Sequence, residues 1–303
     1  MAVSPPSGYL ELAGHTVEYR VFGTAGAAAL QGAPRIVLLH EGLGCIALWR
    51  DFPDRLAQAL GEPILAWSRY GYGQSDVLAE PRPVRFMHDE AGAALPELLD
   101  HFGIAAPILV GHSDGASIAL IHAGAGPAAD QAAAAARGTP RHGQVAVVAL
   151  APHLFVEPVG LASIARAREL FDTTDLEERM ARYHRDPRRT FLGWSDIWLD
   201  PEFAGWNIEA EVARIRCPVL AIQGIDDEYG TLRQIHRLAE LTPATRLLEL
   251  PSCAHSPHQD QPDRVIEAIT RFVQALSMTA DSGTAPDSAT SPAREPAAIL
   301  RRG

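Results

Sequence analysis

A chain of 303 residues, 47% hydrophobic and 21% charged, can bury a sizeable core in one or two domains. Its formal net charge of -11 speaks against a nucleic-acid footprint, and no stretch reaches the roughly 18 consecutive apolar residues of a membrane helix. The opening MAVSPPSGYLELAGH lacks the basic and apolar regions of a signal peptide, and Cys45, Cys217 and Cys253 are sparse and far apart, so the expectation is a cytoplasmic protein with free thiols.

Taken in chain order, YLELAGHTVEYRVFG reads as an antiparallel hairpin at a sheet edge. Short apolar runs follow at Arg35–His40, Pro63–Ser68, Pro107–Ser113, Gln144–Pro152, Pro218–Gly224 and Arg246–Pro251. Near-continuous apolar strands of this kind suit a parallel sheet covered on both faces. Helix-like stretches separate them at Phe52–Leu60, Phe86–Phe102, Asp114–Ala123, Leu232–Leu241 and Pro262–Leu276. That alternation predicts an α/β fold. Ala123–Gly143 is alanine-rich and is expected to prolong a helix before a loop. From 156 to 216 the alternation stops: no strand run is seen, and aromatic, helix-like pieces such as RRTFLGWSDIWLDPEFAGWNI suggest a helical subdomain above the sheet. Ser277–Gly303 is rich in Ser, Thr, Pro and Ala, and is expected to be a disordered tail with no packing face.

The third of these strands ends in Gly111-His112-Ser113-Asp114-Gly115, and a helix pattern begins at once. A nucleophilic serine needs a tight turn between strand and helix, small residues two before and two after it, and the amide donors of a helix start. Two further strand ends carry the partners such a serine requires. IDDEYGT supplies Asp226, Asp227 and Glu228, and SCAHSPHQDQP supplies His255 and His258. A histidine there can take the serine's proton, and a carboxylate on its other nitrogen fixes the tautomer. The carboxyl ends of parallel strands form the face where α/β ligands bind.

Over about Tyr9 to Leu276 the chain resembles the α/β-hydrolase superfamily. The resemblance implies a mostly parallel twisted sheet with helices on both faces and a helical cap inserted before the last two strands. The core would span 1–155 and 217–276, the cap 156–216 and the tail 277–303. It also implies a catalytic triad. The family's acid stands three residues after the glycine closing its strand, which here is Asp227, with Asp226 as the alternative. Its histidine usually follows a glycine, and Ala254-His255 takes that place, leaving His258 as a neighbour in the loop. LLHEGLGCIALW resembles the family's H-G-x-x-G loop, with Glu41 in a position usually held by glycine. By that alignment the backbone N–H groups of Gly42 and Asp114 form the oxyanion hole, with Leu43 as the alternative to Gly42, and His40 holds the loop. SRYGYGQSD resembles a structural turn of the family, with Ser68 where an acid is usual.

The function so implied is hydrolysis of a small carboxylic ester, thioester or lactone through an acyl-enzyme. Amide, aminoacyl-ester or C–C hydrolysis stands as the alternative, as does a non-catalytic ligand-binding protein of the same fold. Substrate contacts are expected from Glu41, Leu43, Trp194 and Trp198, with Phe191, Phe203 and Trp206 either joining an aromatic pocket or packing the cap. The Asp114 side chain has two readings, an acid favoured by the helix dipole or a group that recognises a cation, and Glu41 adds a second carboxylate nearby. No cofactor or metal pattern is seen. The expected partner is a small-molecule substrate, with neither nucleic acid nor membrane, and a homodimer is left open.

Overall fold

The computed structural model describes residues 6–23, 34–137 and 146–282. The first two strands, β1 (Ser7–Leu12) and β2 (His15–Phe22), form the expected antiparallel hairpin. Its two turn residues, Ala13 and Gly14, both take positive φ, 49° and 82°, the geometry that matches strand twist in a two-residue loop. Next come β3 (Ile36–Leu39), α1 (Phe52–Leu60) and β4 (Ile64–Trp67). The stretch read as one helix over Phe86–Phe102 is three pieces: α2 (Phe86–Asp89), a π-helical turn (Glu90–Ala94) and α3 (Leu95–His101). Then follow β5 (Ile108–His112), α4 (Asp114–Arg137) and β6 (Ala146–Leu150). The loop expected after the alanine-rich helix falls at 138–145, outside the described residues.

Between β6 and the next strand lie α5 (Pro158–Thr173), α6 (Leu176–Met180), α7 (Pro187–Leu199), a 3₁₀ turn (Pro201–Gly205) and α8 (Glu209–Val212). Caps mark the start of α7, where the Asp186 carboxylate accepts from the Arg189 N–H at 2.9 Å and Pro187 supplies a preset φ. The chain closes with β7 (Val219–Gly224), α9 (Arg233–Leu241), β8 (Thr245–Leu250), α10 (Pro257–Asp260) and α11 (Pro262–Ser282). The last helix runs five residues past the start of the segment read as a tail, and residues 283–303 lie outside the described part.

One eight-stranded sheet results, in the order β1-β2-β4-β3-β5-β6-β7-β8. From β4 to β8 every pairing is parallel, whereas β2 meets β4 antiparallel. Period-two alternation sorts the strand residues between two apolar layers. Val37, Leu39, Leu109 and Val147 face the layer containing α3, α4 and the helices between β6 and β7. Ile36, Leu38, Val110 and Val148 face the layer under α1 and α11. The inserted helices thus share one continuous core with the sheet and have none of their own. The edge strand β8 departs from the expectation of strands covered on both faces. Arg246, Leu247 and Glu249 are exposed, because α9 and α11 leave part of this last strand open.

The winding positions the site. The chain steps from β3 outward to β4, then back across β3 to β5, so the loops after β3 and β5 leave side by side at the point where strand order reverses. In open α/β sheets that crevice is where ligands bind.

Candidate active site

Ser113 sits on the turn between β5 and α4 with φ 52°, a left-handed conformation that a residue with a side chain rarely takes. Its N–H donates to the Leu150 carbonyl of β6 at 2.9 Å, which pins the turn to the sheet. The flanking glycines are required by space. A Cβ on Gly111 would stand 2.3 Å from the Gly115 carbonyl oxygen, and one on Gly115 would stand 2.1 Å from that of Leu39. Neither contact can be relieved by turning a side chain, since both partners are backbone.

Two other loops bring the serine its neighbours. His255 Nε2 lies 2.9 Å from Ser113 Oγ, and His255 Nδ1 lies 2.8 and 3.0 Å from the two carboxylate oxygens of Asp227. Asp227 is itself fixed by donors from the Tyr229 N–H at 2.8 Å, the Gly230 N–H at 3.2 Å and Gln223 Nε2 at 3.1 Å. Gly224 allows the two loops to meet, because a Cβ there would stand 2.1 Å from the Cys253 carbonyl oxygen. The alternative acid, Asp226, is exposed and contributes its backbone N–H to Cys253. His258 does not reach the cavity. It is buried against Trp49 and His112, with ring centroids 4.7 and 4.8 Å away, and burial pushes its pKa down to about 3.

Charge follows from this geometry. Burial pushes the Asp227 carboxyl up, but the hydrogen bond and charge of His255 and the Tyr229 N–H outweigh it and hold the pKa below the ordinary value. Burial pushes the His255 imidazole down, yet Asp227, Glu228 and Glu41 together raise it above the ordinary 6.5. The pairing thus favours the ionised carboxylate on Asp227 and the protonated form of His255.

A cavity of about 730 Å³, counting open solvent at its mouth, lies above these groups. Ser113, His255, Gly42, Asp114, Glu41, Leu43, Trp194 and Trp198 all line it. Asp227 stands behind His255 and does not. Phe191, Phe203 and Trp206 pack into the core instead, as in the stacked pair Phe171–Phe191 with centroids 4.0 Å apart. His40 holds its loop: Nε2 accepts the Arg69 N–H at 3.0 Å, and Nδ1 donates to the Glu41 carbonyl at 2.7 Å. Ser68 Oγ donates to Glu18 at 2.6 Å, so a carboxylate from β2 occupies the place of the missing acid in that turn.

Several residues were not singled out from sequence. His153 lines the cavity three residues past β6, its ring edge-on to Trp198 at 5.0 Å, and burial lowers its pKa to about 3. Its strand-end position was the available signal. His112 Nε2 donates to the His255 carbonyl at 2.7 Å, so the residue before the serine anchors the histidine loop. Glu157 and Tyr229 also line the cavity, and Glu157 accepts from the Thr231 N–H at 2.9 Å, tying the acid loop to α5. Among the described residues no cluster of three or more His, Cys, Asp or Glu could hold a metal ion, and no helix is long and apolar enough to cross a membrane.

The family model described as "Alpha/beta hydrolase family" matches residues 36–268. No curated protein matches the chain in sequence. Solved structures are similar. The enol-lactonase from Burkholderia xenovorans LB400 is 20% identical, with a TM-score of 0.64 over 88% of this chain and 100% of that one. A carboxylesterase structure from the ammonia-oxidizing thaumarchaeon Nitrososphaera gargenis gives 18% identity and a TM-score of 0.68, covering 89% and 99%. The meta-cleavage product hydrolase from Pseudomonas fluorescens IP01 gives 19% and 0.61, covering 89% and 98%. At these identities the likeness is one of fold.

Proposed function

The chain belongs to the alpha/beta hydrolase family, and from that premise we propose that it is a serine hydrolase cleaving a small carboxylic ester, thioester or lactone through an acyl-enzyme intermediate. One observation carries the reading: an unbroken hydrogen-bonded line from Ser113 through His255 to Asp227 opening into a cavity. In this reading His255 Nε2 takes the Ser113 proton as Oγ attacks the carbonyl carbon, and Asp227 steadies the imidazolium. The carbonyl oxygen becomes an oxyanion held by the Gly42 and Asp114 N–H groups, each contributing roughly 3 kcal/mol of barrier lowering. Collapse expels the leaving group with the proton from His255. Water, deprotonated by His255, then releases the acid and restores Ser113. The helices between β6 and β7 act as a cap in this proposal, closing the cavity through Trp194 and Trp198.

A panel of p-nitrophenyl esters, acyl thioesters, lactones and a C–C diketone substrate tests it, with the Ser113→Ala protein as blank. Turnover of none of them above that blank would overturn it.

The raised His255 pKa sets the pH dependence. The base must be neutral to accept a proton, so kcat/KM for a neutral ester is expected to fall about tenfold per pH unit below that pKa, with the midpoint above 6.5. Glu41 is one of the charges that raise it. Glu41→Gln should therefore move the acid limb to lower pH in a pH–rate profile; an unmoved limb would show that Glu41 does not act on His255.

A further inference from the structure

The proposed chemistry leaves two carboxylates unexplained. Asp114 is 1% exposed and lines the cavity, and neither of its oxygens has a hydrogen-bond partner. Glu41 lines the same cavity, and its Oε2 is likewise buried without a partner. The Asp114 carboxylate stands close to the reacting position. A Cβ on Gly42 would lie 3.1 Å from Asp114 Oδ2, and the Gly42 N–H is one of the two proposed oxyanion donors.

That arrangement works against the chemistry if the cavity holds only a neutral ester. Two carboxyl groups beside a developing oxyanion raise the barrier that the N–H donors lower whenever they are ionised. Two of the protein's own cations, Arg69 and Arg82, act on the Asp114 carboxyl from outside the cavity lining. Arg69 donates to the Glu41 carbonyl at 3.0 Å, Arg82 lies 4.6 Å over the Tyr72 ring, and neither lines the cavity. Burial raises the Asp114 pKa, and Arg69, Arg82 and the Trp198 indole do not offset it. Burial likewise raises Glu41 to about 7. A helix-dipole role would account for an acid at this position, but not for one shut away from water with the Trp198 indole as its one nearby side-chain donor and no partner in good hydrogen-bond geometry. A cation on the cavity side would supply the missing partner and keep both groups ionised.

We propose that Asp114 and Glu41 form a cation subsite and that the substrate's acyl part carries an ammonium group. The inference rests on the acyl-transfer reading above. An ammonium one or two atoms from the carbonyl carbon would give the two carboxylates their donors and cancel their charge beside the oxyanion.

The p-nitrophenyl esters of alanine and of isobutyric acid differ only in replacing the ammonium by a methyl group. The wild-type protein is expected to favour the alanine ester by at least about tenfold in kcat/KM. Asp114→Asn and Glu41→Gln, each separately, should lower that preference roughly ten- to a hundredfold. No wild-type preference, or the same ratio in wild type and both variants, overturns the subsite. Hydrolysis of neither ester counts against the hydrolase reading alone. Calorimetric binding of alaninamide to the Ser113→Ala protein then decides the subsite: binding lost on adding Asp114→Asn or Glu41→Gln supports it, and no binding, or binding unaffected by either, overturns it.

Discussion

Replacing Ser113 by alanine is expected to lower kcat on any ester the protein turns over by on the order of 10⁴- to 10⁶-fold, while the thermal melt stays within a few degrees of wild type. The kinetic loss follows from removing the atom that forms the covalent bond in the proposed mechanism; the rest of the site would then retain only the catalysis of its donors and its binding. The fold should survive because the backbone of the turn does not depend on the hydroxyl. The Ser113 N–H to Leu150 bond and the close packing at Gly111 and Gly115 remain. Purified protein with wild-type turnover would remove the covalent mechanism.

Asp227→Asn should cost about 10⁴-fold in kcat, against no more than a few-fold for Asp226→Asn. Asp227 accepts a proton-bearing Nδ1, which leaves His255 Nε2 free to accept from Ser113. An asparagine can turn its amide nitrogen toward Nδ1, which then becomes the acceptor, and the proton moves to Nε2, where it blocks the base. Asp226 is exposed and holds its loop through its backbone, so its carboxylate has no such task. Steady-state kinetics on one ester decide it. The reverse order of effects would move the acid by one residue.

The parts of this architecture that are local in sequence were legible there. All eight strands of the sheet lie where apolar runs or the opening hairpin placed them; β3 to β7 are buried along their whole length and so leave the plainest mark. The turn at Ser113 was legible because its small residues answer a steric demand within five positions. What stayed hidden depends on distant segments. The π-helical turn at Glu90–Ala94 leaves no mark in a pattern of apolar spacing. Nothing local tells that Glu18, fifty residues before Ser68, completes its turn, or that His112 anchors the loop of His255. Asp114 shows the same gap. Its place at a helix start was plain from sequence, but its enclosure depends on Trp194 and Trp198 arriving from another part of the chain.

An edge strand of the sheet leads into the loop of the proposed proton acceptor. β8 is held by hydrogen bonds along one side only, half its residues are exposed, and His255 follows it by five positions. Regions with few buried contacts open at a smaller free energy than the whole molecule. Release of that one strand would take His255 away from Ser113 while both apolar layers around β3, β5 and β6 stayed intact. Under the proposed mechanism, catalytic competence and global stability are separate quantities. In dilute denaturant, activity is therefore expected to decline with fraying of this border before the global melt.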